Sequence, residues 1–467
     1  MSCGKGRGVI VLGKTPAGNK LPPNVHRAVL MRTITDLAAD IRAGNLSLID
    51  LLEQCLARID AVEEKTRAWV VVDADCARRQ ANRLADELLH GHDRGPLHGI
   101  PVGVKDIIDV AELPTAAGSK RWANAIARQD ARVVEQLRQA GAVIVGKTVT
   151  TAFAAFDPSV TNNPWNRGRT PGGSSSGSAA AVATDMVPAA LGSQTGGSII
   201  RPAAYCGVCG LKPTYNRVSL QGVVPLSPCL DHLGVIAGNV SDLAVMFQAI
   251  IQPDYEAQRL PTVTPVMPQE KKLVTLDGLF ADRQDSAMVE AFESLKNDLR
   301  RKGWVIESRP VPASFNEVLK HHRTIMAVEA ANYHEERFRR YSEDYPPKMT
   351  ELIERGLGTT ATEYAQAREH QSKIVYESST WFDHRGMAIL VPATSGPAPD
   401  RTTTGDPAHQ AVWSYIGLPT ITLPFAVTGD GLPLGLQLAG AGQTEAELFG
   451  TAMALEAEVD FRRPVLG

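Results

Sequence analysis

A chain of 467 residues is long enough for about three average domains, or for one large α/β layer structure. Its 43% apolar and 21% charged residues are the composition of a folded globular protein, not of a disordered chain. A net charge of −3 supplies no basic field for phosphate, which argues against binding built on nucleic acid or on an anionic membrane surface.

Residues 1–32 mix Gly, Lys, Pro and Asn without periodicity and read as a tail. Within them Val9-Ile10-Val11-Leu12 is too brief for the apolar part of a secretory signal. The longest apolar runs are broken by Asp185 and Pro188, or by Pro419 and Pro424, so no membrane span is expected and the cytoplasm is the default location. Six cysteines (Cys3, Cys55, Cys76, Cys206, Cys209, Cys229) are too sparse for a disulfide framework.

From Thr33 the elements follow one another. Thr33 or Thr35 caps a helix carrying Leu37 and Ile41, and Ser47 caps a second with Leu51, Leu52, Cys55, Leu56 and Ile59 on one stripe. A strand over 69–72, a helix over 73–89 and a strand from Ile100 ending at Lys105 come next. A helix over 131–140 stopped by Gly141 and a strand over 142–145 continue the alternation. This pattern predicts the α/β class: one large α/β/α domain over 33–467, with a mixed central sheet covered by helices on both faces.

The stretch from Asn162 to Val218 differs. Two Gly/Ser runs, Pro171-Gly172-Gly173-Ser174-Ser175-Ser176-Gly177-Ser178 and Gly192-Ser193-Gln194-Thr195-Gly196-Gly197-Ser198, flank a helix over 179–186 and a strand over 188–191. Small residues there let a ligand approach backbone N–H groups closely. Beyond it lie a strand over 273–276, a helix over 285–302 and a strand over 304–307. A polar helical, cap-like region covers about 313–384, and its Tyr333, Phe338, Tyr341 and Tyr345 are expected mainly to pack beneath the helices. Strands over 388–391, 420–424 and 434–438 and a helix over 445–459 close the chain.

Two motif matches fail on context. Gly141-Ala142-Val143-Ile144-Val145-Gly146-Lys147-Thr148 has the letters of a phosphate-binding loop, but its variable residues are themselves the strand. Gly173-Ser174-Ser175-Ser176-Gly177 has the letters of a hydrolase elbow, yet the polar segment before it is no core strand. Cys206-x-x-Cys209 lacks a second pair of ligands and reads as small buried residues in a short helix and loop. No metal set and no cofactor motif is read.

What remains is Lys105 at a strand end and Ser174 and Ser198 in glycine-rich loops. Here the sequence resembles the amidase signature family. The resemblance rests on Gly103-Val104-Lys105-Asp106, Asn163-Pro164-Trp165-Asn166, the run from Pro171 through Ala183, Gly196-Gly197-Ser198-Ile199 and Gly210-Leu211-Lys212-Pro213-Thr214. Gly405-Asp406-Pro407 and Gly435-Leu436-Gln437 extend it over about residues 33–460. It implies a Ser-cisSer-Lys triad: Lys105 as base, Ser174 as relay behind a cis peptide bond, and Ser198 as nucleophile. The chemistry is coherent, since a serine needs a base within reach and a lysine stripped of water can lose its proton. The N–H groups of Thr195, Gly196, Gly197 and Ser198, ahead of a helix running from Ile199, would form the oxyanion hole. Phe153, Phe156, Gly173 and Gln194 are expected at the substrate.

One departure stands out. The commoner family pattern has Asp four residues before the nucleophile and Arg two after it, whereas this chain has Gln194 and Ile200, with Arg201 at plus three. Amide hydrogen bonds from Gln194 are expected to replace the ion pair. The resemblance implies a hydrolase cleaving the C–N bonds of small amides, with carbamate (urethane) and ester hydrolysis open to the same triad, and Phe153, Phe156 and the aromatics of the cap region suggest an apolar or aryl acyl group. A glutamine amidotransferase subunit, with Arg355 or Asp406 anchoring a charged ligand, is the other class. The expected partner is a small-molecule amide or carbamate, and a homodimer is what the family resemblance alone implies.

Overall fold

The computed structural model describes residues 32–252, 262–464 and 466. The tail expected at 1–32, apart from Arg32, and Cys3 within it lie outside the described residues. In chain order the first half holds α1 (Ile34–Arg42), α2 (Leu48–Thr66), β1 (Trp69–Val72), α3 (Ala74–Leu89), β2 (Pro101–Lys105), α4 (Arg132–Gln139) and β3 (Val143–Thr148). Then come α5 (Ser176–Ala183), β4 (Ala189–Gln194), α6 (Ile200–Cys206), β5 (Cys209–Lys212), β6 (His232–Ala237) and α7 (Val240–Ile250). The remainder is β7 (Lys272–Asp277), α8 (Ser286–Arg301), β8 (Val305–Pro310), α9 (Val318–Arg340), α10 (Pro347–Gly358) and α11 (Ala361–Ser378). It closes with β9 (Ala388–Pro392), α12 (Ala408–Tyr415), β10 (Thr420–Val427), β11 (Pro433–Gly440) and α13 (Glu445–Glu458).

Caps set several boundaries. Thr33 accepts from the Asp36 N–H at 3.0 Å, Ser47 from Ile49 N–H at 3.1 Å, and Asp73 from Cys76 N–H at 3.0 Å. The buried stripe of α2 is the one its spacing predicts: Leu51, Leu52, Cys55, Leu56 and Ile59.

One mixed sheet of eleven strands runs through the molecule in the order β1-β3-β2-β4-β6-β5-β10-β11-β9-β7-β8. β2 pairs in parallel with both β3 and β4, while β4, β6, β5, β10, β11 and β9 form a run of antiparallel pairs. α5 and α6 pack over the centre of the sheet and against each other, and α7 and α13 pack over the same strands and against each other. This is the expected α/β architecture.

Several elements differ from the pattern reading. β5, β6, α7 and α12 carry no signal used above. β5, β6 and α12 are buried along their whole length, so no alternation or stripe marks them. Cys209 accordingly begins a strand rather than lying in a loop, and both Cys206 and Cys209 are buried free thiols. The polar helical region expected over about 313–384 consists chiefly of α9, α10 and α11. Within it Tyr345 is buried against Phe153 and Phe338, whereas Tyr333 and Tyr341 are exposed, so the expected packing does not extend to those two.

Candidate active site

The sheet itself brings the chemistry together. Parallel pairing of β2 with β4, with Val104 opposite Leu191, places Lys105 and Ser193 at adjoining strand ends. α5 begins beside this edge. Gly177 in its first turn stands so close to the chain beside it that a Cβ would lie 2.2 Å from Ala68 O and 2.3 Å from Val149 N, so only glycine lets α5 seat here. The chain enters this turn through Gly172 at φ +80° and a cis peptide bond between Gly173 and Ser174.

Lys105 is wholly buried, and its Nζ lies 2.6 Å from Ser174 Oγ and 2.7 Å from Ser193 Oγ. No carboxylate among the described residues lies within ion-pair distance of it. The neighbouring acid, Asp106, faces the other way and pairs with buried Lys147 at 3.0 Å. Burial pushes the Lys105 ammonium well below the ordinary lysine range, against a weaker opposing pull from Asp231. A neutral amine in this setting can accept a proton from a hydroxyl.

Ser174 is fully buried too, and its carbonyl accepts from Thr151 N at 3.2 Å. Ser175 N donates to Ser198 O at 3.2 Å, which fastens the loop of Ser174 to the loop of Ser198. Ser198 keeps a small exposed surface, 8%, where Ser174 and Lys105 have none. Of the three side chains, Ser198 alone reaches the surface, and its loop is joined to that of Ser174 through the Ser175 N–H.

The loop after β4 is held by several groups that sequence reasoning missed. His322 on α9 donates from Nε2 to Thr195 O at 3.0 Å, and Ser414 on α12 donates to Gly196 O at 2.8 Å. The Thr195 hydroxyl donates to Asp231, whose other oxygen accepts from Leu226 N at 2.9 Å and Ser227 N at 3.0 Å. Burial raises the Asp231 carboxyl to about 6. No backbone carbonyl among the described residues accepts from the N–H groups of Thr195, Gly196, Gly197 or Ser198. Donors left free in this way can serve a developing oxyanion. Ser193 was legible only as part of a glycine-serine run, and Asp231 and His322 come from elements that no motif ties to the site.

The expected pocket residues divide. Gly173 lies in the turn, where a Cβ would stand 2.8 Å from Thr404 Cγ2. Phe156 is half-buried against the core. Phe153 is fully buried, stacked on Tyr345 at 4.7 Å and edge-on to Trp122 and His334, so its ring offers no surface to a ligand; that expectation is corrected.

Gln194 is likewise wholly buried and not available to substrate, because its amide is spent on the loop. Oε1 accepts from Ile199 N at 2.9 Å and Ile200 N at 3.0 Å, and Nε2 donates to Ser414 Oγ at 3.1 Å. These are the amide bonds expected in place of an ion pair. Gln194→Met keeps the volume and removes these hydrogen bonds, at about 1 kcal/mol or more each. We expect a lower Tm by thermal denaturation and about a tenfold or greater loss of kcat through the loosened 195–198 loop. An unchanged kcat would show that the loop does not depend on this amide.

The family model for amidases matches residues 50–449. The A subunit of the glutamyl-tRNA(Gln) amidotransferase of Chloroflexus aurantiacus is 44% identical over 228 residues, an alignment spanning 48% of this chain and 47% of that one. The chain thus matches about half the length of that relative. The corresponding protein of Geobacillus kaustophilus is 32% identical over 483 aligned positions, covering 93% of this chain and 99% of the relative. Among solved structures, the peptide amidase of Stenotrophomonas maltophilia is 28% identical with a TM-score of 0.77, covering 92% of this chain and 98% of its own.

Proposed function

This chain belongs to the amidase family, and on that premise we propose that it hydrolyses the C–N bond of small amides through a seryl acyl-enzyme. The observation that carries the reading is a fully buried amine, without a counter-ion among the described residues, 2.6 Å from the Ser174 hydroxyl.

Neutral Lys105 takes a proton from Ser174 as Ser174 takes the proton of Ser198. The Ser198 oxygen bonds to the amide carbon, and the carbonyl oxygen becomes an oxyanion met by the N–H groups of residues 195–198. The proton returns through Ser174 to the departing nitrogen, the C–N bond breaks, and the amine leaves. Water then adds to the ester carbon, giving its proton to the same relay; the bond from Ser198 Oγ to that carbon breaks, the relay returns the proton to Ser198, and the acid is released. Carbamates and esters pass through the same tetrahedral geometry.

The names of the relatives favour a second reading, in which the chain releases ammonia from glutamine for a partner protein. The two charged anchors considered for such a ligand give it little support. Arg355 is exposed on α10, and Asp406 is already bound to Arg283 Nη1 and Ala408 N, both at 2.9 Å. The test is a panel of anilides, aryl carbamates, p-nitrophenyl esters and glutamine offered to the purified chain alone. We expect turnover of an anilide without any partner. Turnover of glutamine and of nothing else in the panel would replace this reading with the second.

A further inference from the structure

Behind the 195–198 loop sits a buried cation with no counter-ion among the described residues. Arg201, on α6, is 2% exposed, and no carboxylate among those residues approaches its guanidinium within 4 Å. Its backbone N–H bonds to Gly197 O at 3.0 Å. Its side chain crosses to the other loop, where Nη2 donates to Gly173 O at 2.9 Å and to Thr404 Oγ1 at 3.4 Å. Nε and Nη1 find no hydrogen-bond partner among the described residues, and neither does Gln410 Oε1. Both of these unmatched side chains lie against Gly197: a Cβ there would stand 2.3 Å from Gln410 Oε1 and 3.1 Å from Arg201 Nη1.

No carboxylate among the described residues pairs with Arg201; Asp406 acts on it only at longer range, against the burial that disfavours its charge. Asp406 is engaged by Arg283. Burial pushes the Tyr205 hydroxyl up to about 12, so the phenol stays uncharged. A buried charge without a partner is strongly unfavourable in a resting protein. In an enzyme, the compensating charge can be the one that forms during reaction, and a fixed cation that need not reorient is then worth most in the transition state.

We infer that Arg201 is a positioning residue whose uncompensated charge, held behind Gly197 and on the Gly173 carbonyl, favours the anionic tetrahedral adduct on Ser198 over the neutral bound substrate. The inference rests on Ser198 being the nucleophile.

The test uses phenylboronic acid. Its boron accepts a bond from Ser198 Oγ, no heavy-atom bond breaks, the hydroxyl proton passes through Ser174 to Lys105, and boron takes the negative charge. Boronate affinity is read by inhibition of p-nitrophenyl ester hydrolysis in the wild type and the Arg201 variants, and by calorimetry in Ser198→Ala. In Arg201→Met, boronate affinity and kcat are expected to fall together by about 10- to 100-fold, with KM for the neutral ester unchanged. Arg201→Lys, whose amine the same burial holds neutral as it does at Lys105, is expected to fall with Arg201→Met. If Arg201→Met does not fold, Arg201→Gln makes the same comparison, with an amide that can still reach Gly173 O. Unchanged boronate affinity in Arg201→Met, or a rise in KM that accounts for the whole loss of kcat/KM, overturns the inference. Wild-type boronate affinity in Ser198→Ala would instead remove the nucleophile reading itself.

Discussion

Lys105→Met is expected to lower kcat/KM by about ten-thousand-fold or more, with little change in thermal stability. The rate effect follows from the role: without a base, the Ser198 hydroxyl is a poor nucleophile, and removing one member of a unit of this kind costs nearly as much as removing all of it. The small stability effect follows from the site. Lys105 has no ionic partner among the described residues, so its removal strands no buried charge, and the hydroxyls of Ser174 and Ser193 each lose one neighbour. The pH dependence has a definite sign. Only the neutral amine can accept a proton, so activity is low below the Lys105 pKa and climbs as pH rises through it. Burial lowers that pKa, so the climb ends well below the range of an ordinary lysine. Lys105→Arg, protonated at every accessible pH, is expected to be as inactive as the methionine variant. A kcat/KM profile flat with pH, or substantial activity in Lys105→Arg, would contradict the assignment.

Ser198→Ala is expected to abolish the acyl-enzyme and with it at least about ten-thousand-fold of the rate, leaving only what the 195–198 donors and substrate binding retain. Ser198 has little packing to lose. It is the member of the trio with exposed surface, and the bond its carbonyl accepts from Ser175 N survives the change. The variant should therefore fold, keep the Lys105 to Ser174 contact and bind substrate without turning it over. A pre-steady-state burst of p-nitrophenol from an activated ester separates the cases: present in the wild type, absent in Ser198→Ala. A burst that survives the substitution would place the covalent chemistry elsewhere.

The legible parts of this protein were those where local chemistry decides the outcome. Thr33, Ser47 and Asp73 cap helices because their side-chain oxygens meet orphan N–H groups, and the stripe of α2 is periodic because only one of its faces is buried. Ser174 and Ser198 were marked by glycine-rich loops that ordinary strands and helices do not need, and Lys105 by its place at the end of an apolar strand. β5, β6 and α12 were not marked, because burial on all sides erases the alternation that pattern reading depends on. The supporting shell was the least legible. His322 and Ser414 reach the 195–198 loop from 127 and 218 residues away, so only the fold brings them there. Phe153 and Gln194 show the converse error. An aromatic and an amide beside a site suggest ligand contact, yet the interior claims both, one for an aromatic cluster and one for two backbone N–H groups.

The central claim is that a neutral amine at residue 105 activates the Ser198 hydroxyl through Ser174. The most direct measurement is the pH dependence of labelling by an uncharged fluorophosphonate, with the modified peptide identified by mass. The account predicts a single adduct on Ser198, formed at a rate that rises with pH through one titration below the lysine range and that collapses in both Lys105→Met and Ser174→Ala. An adduct on another residue, or labelling of Ser198 that persists at wild-type rate in Lys105→Met, would contradict it.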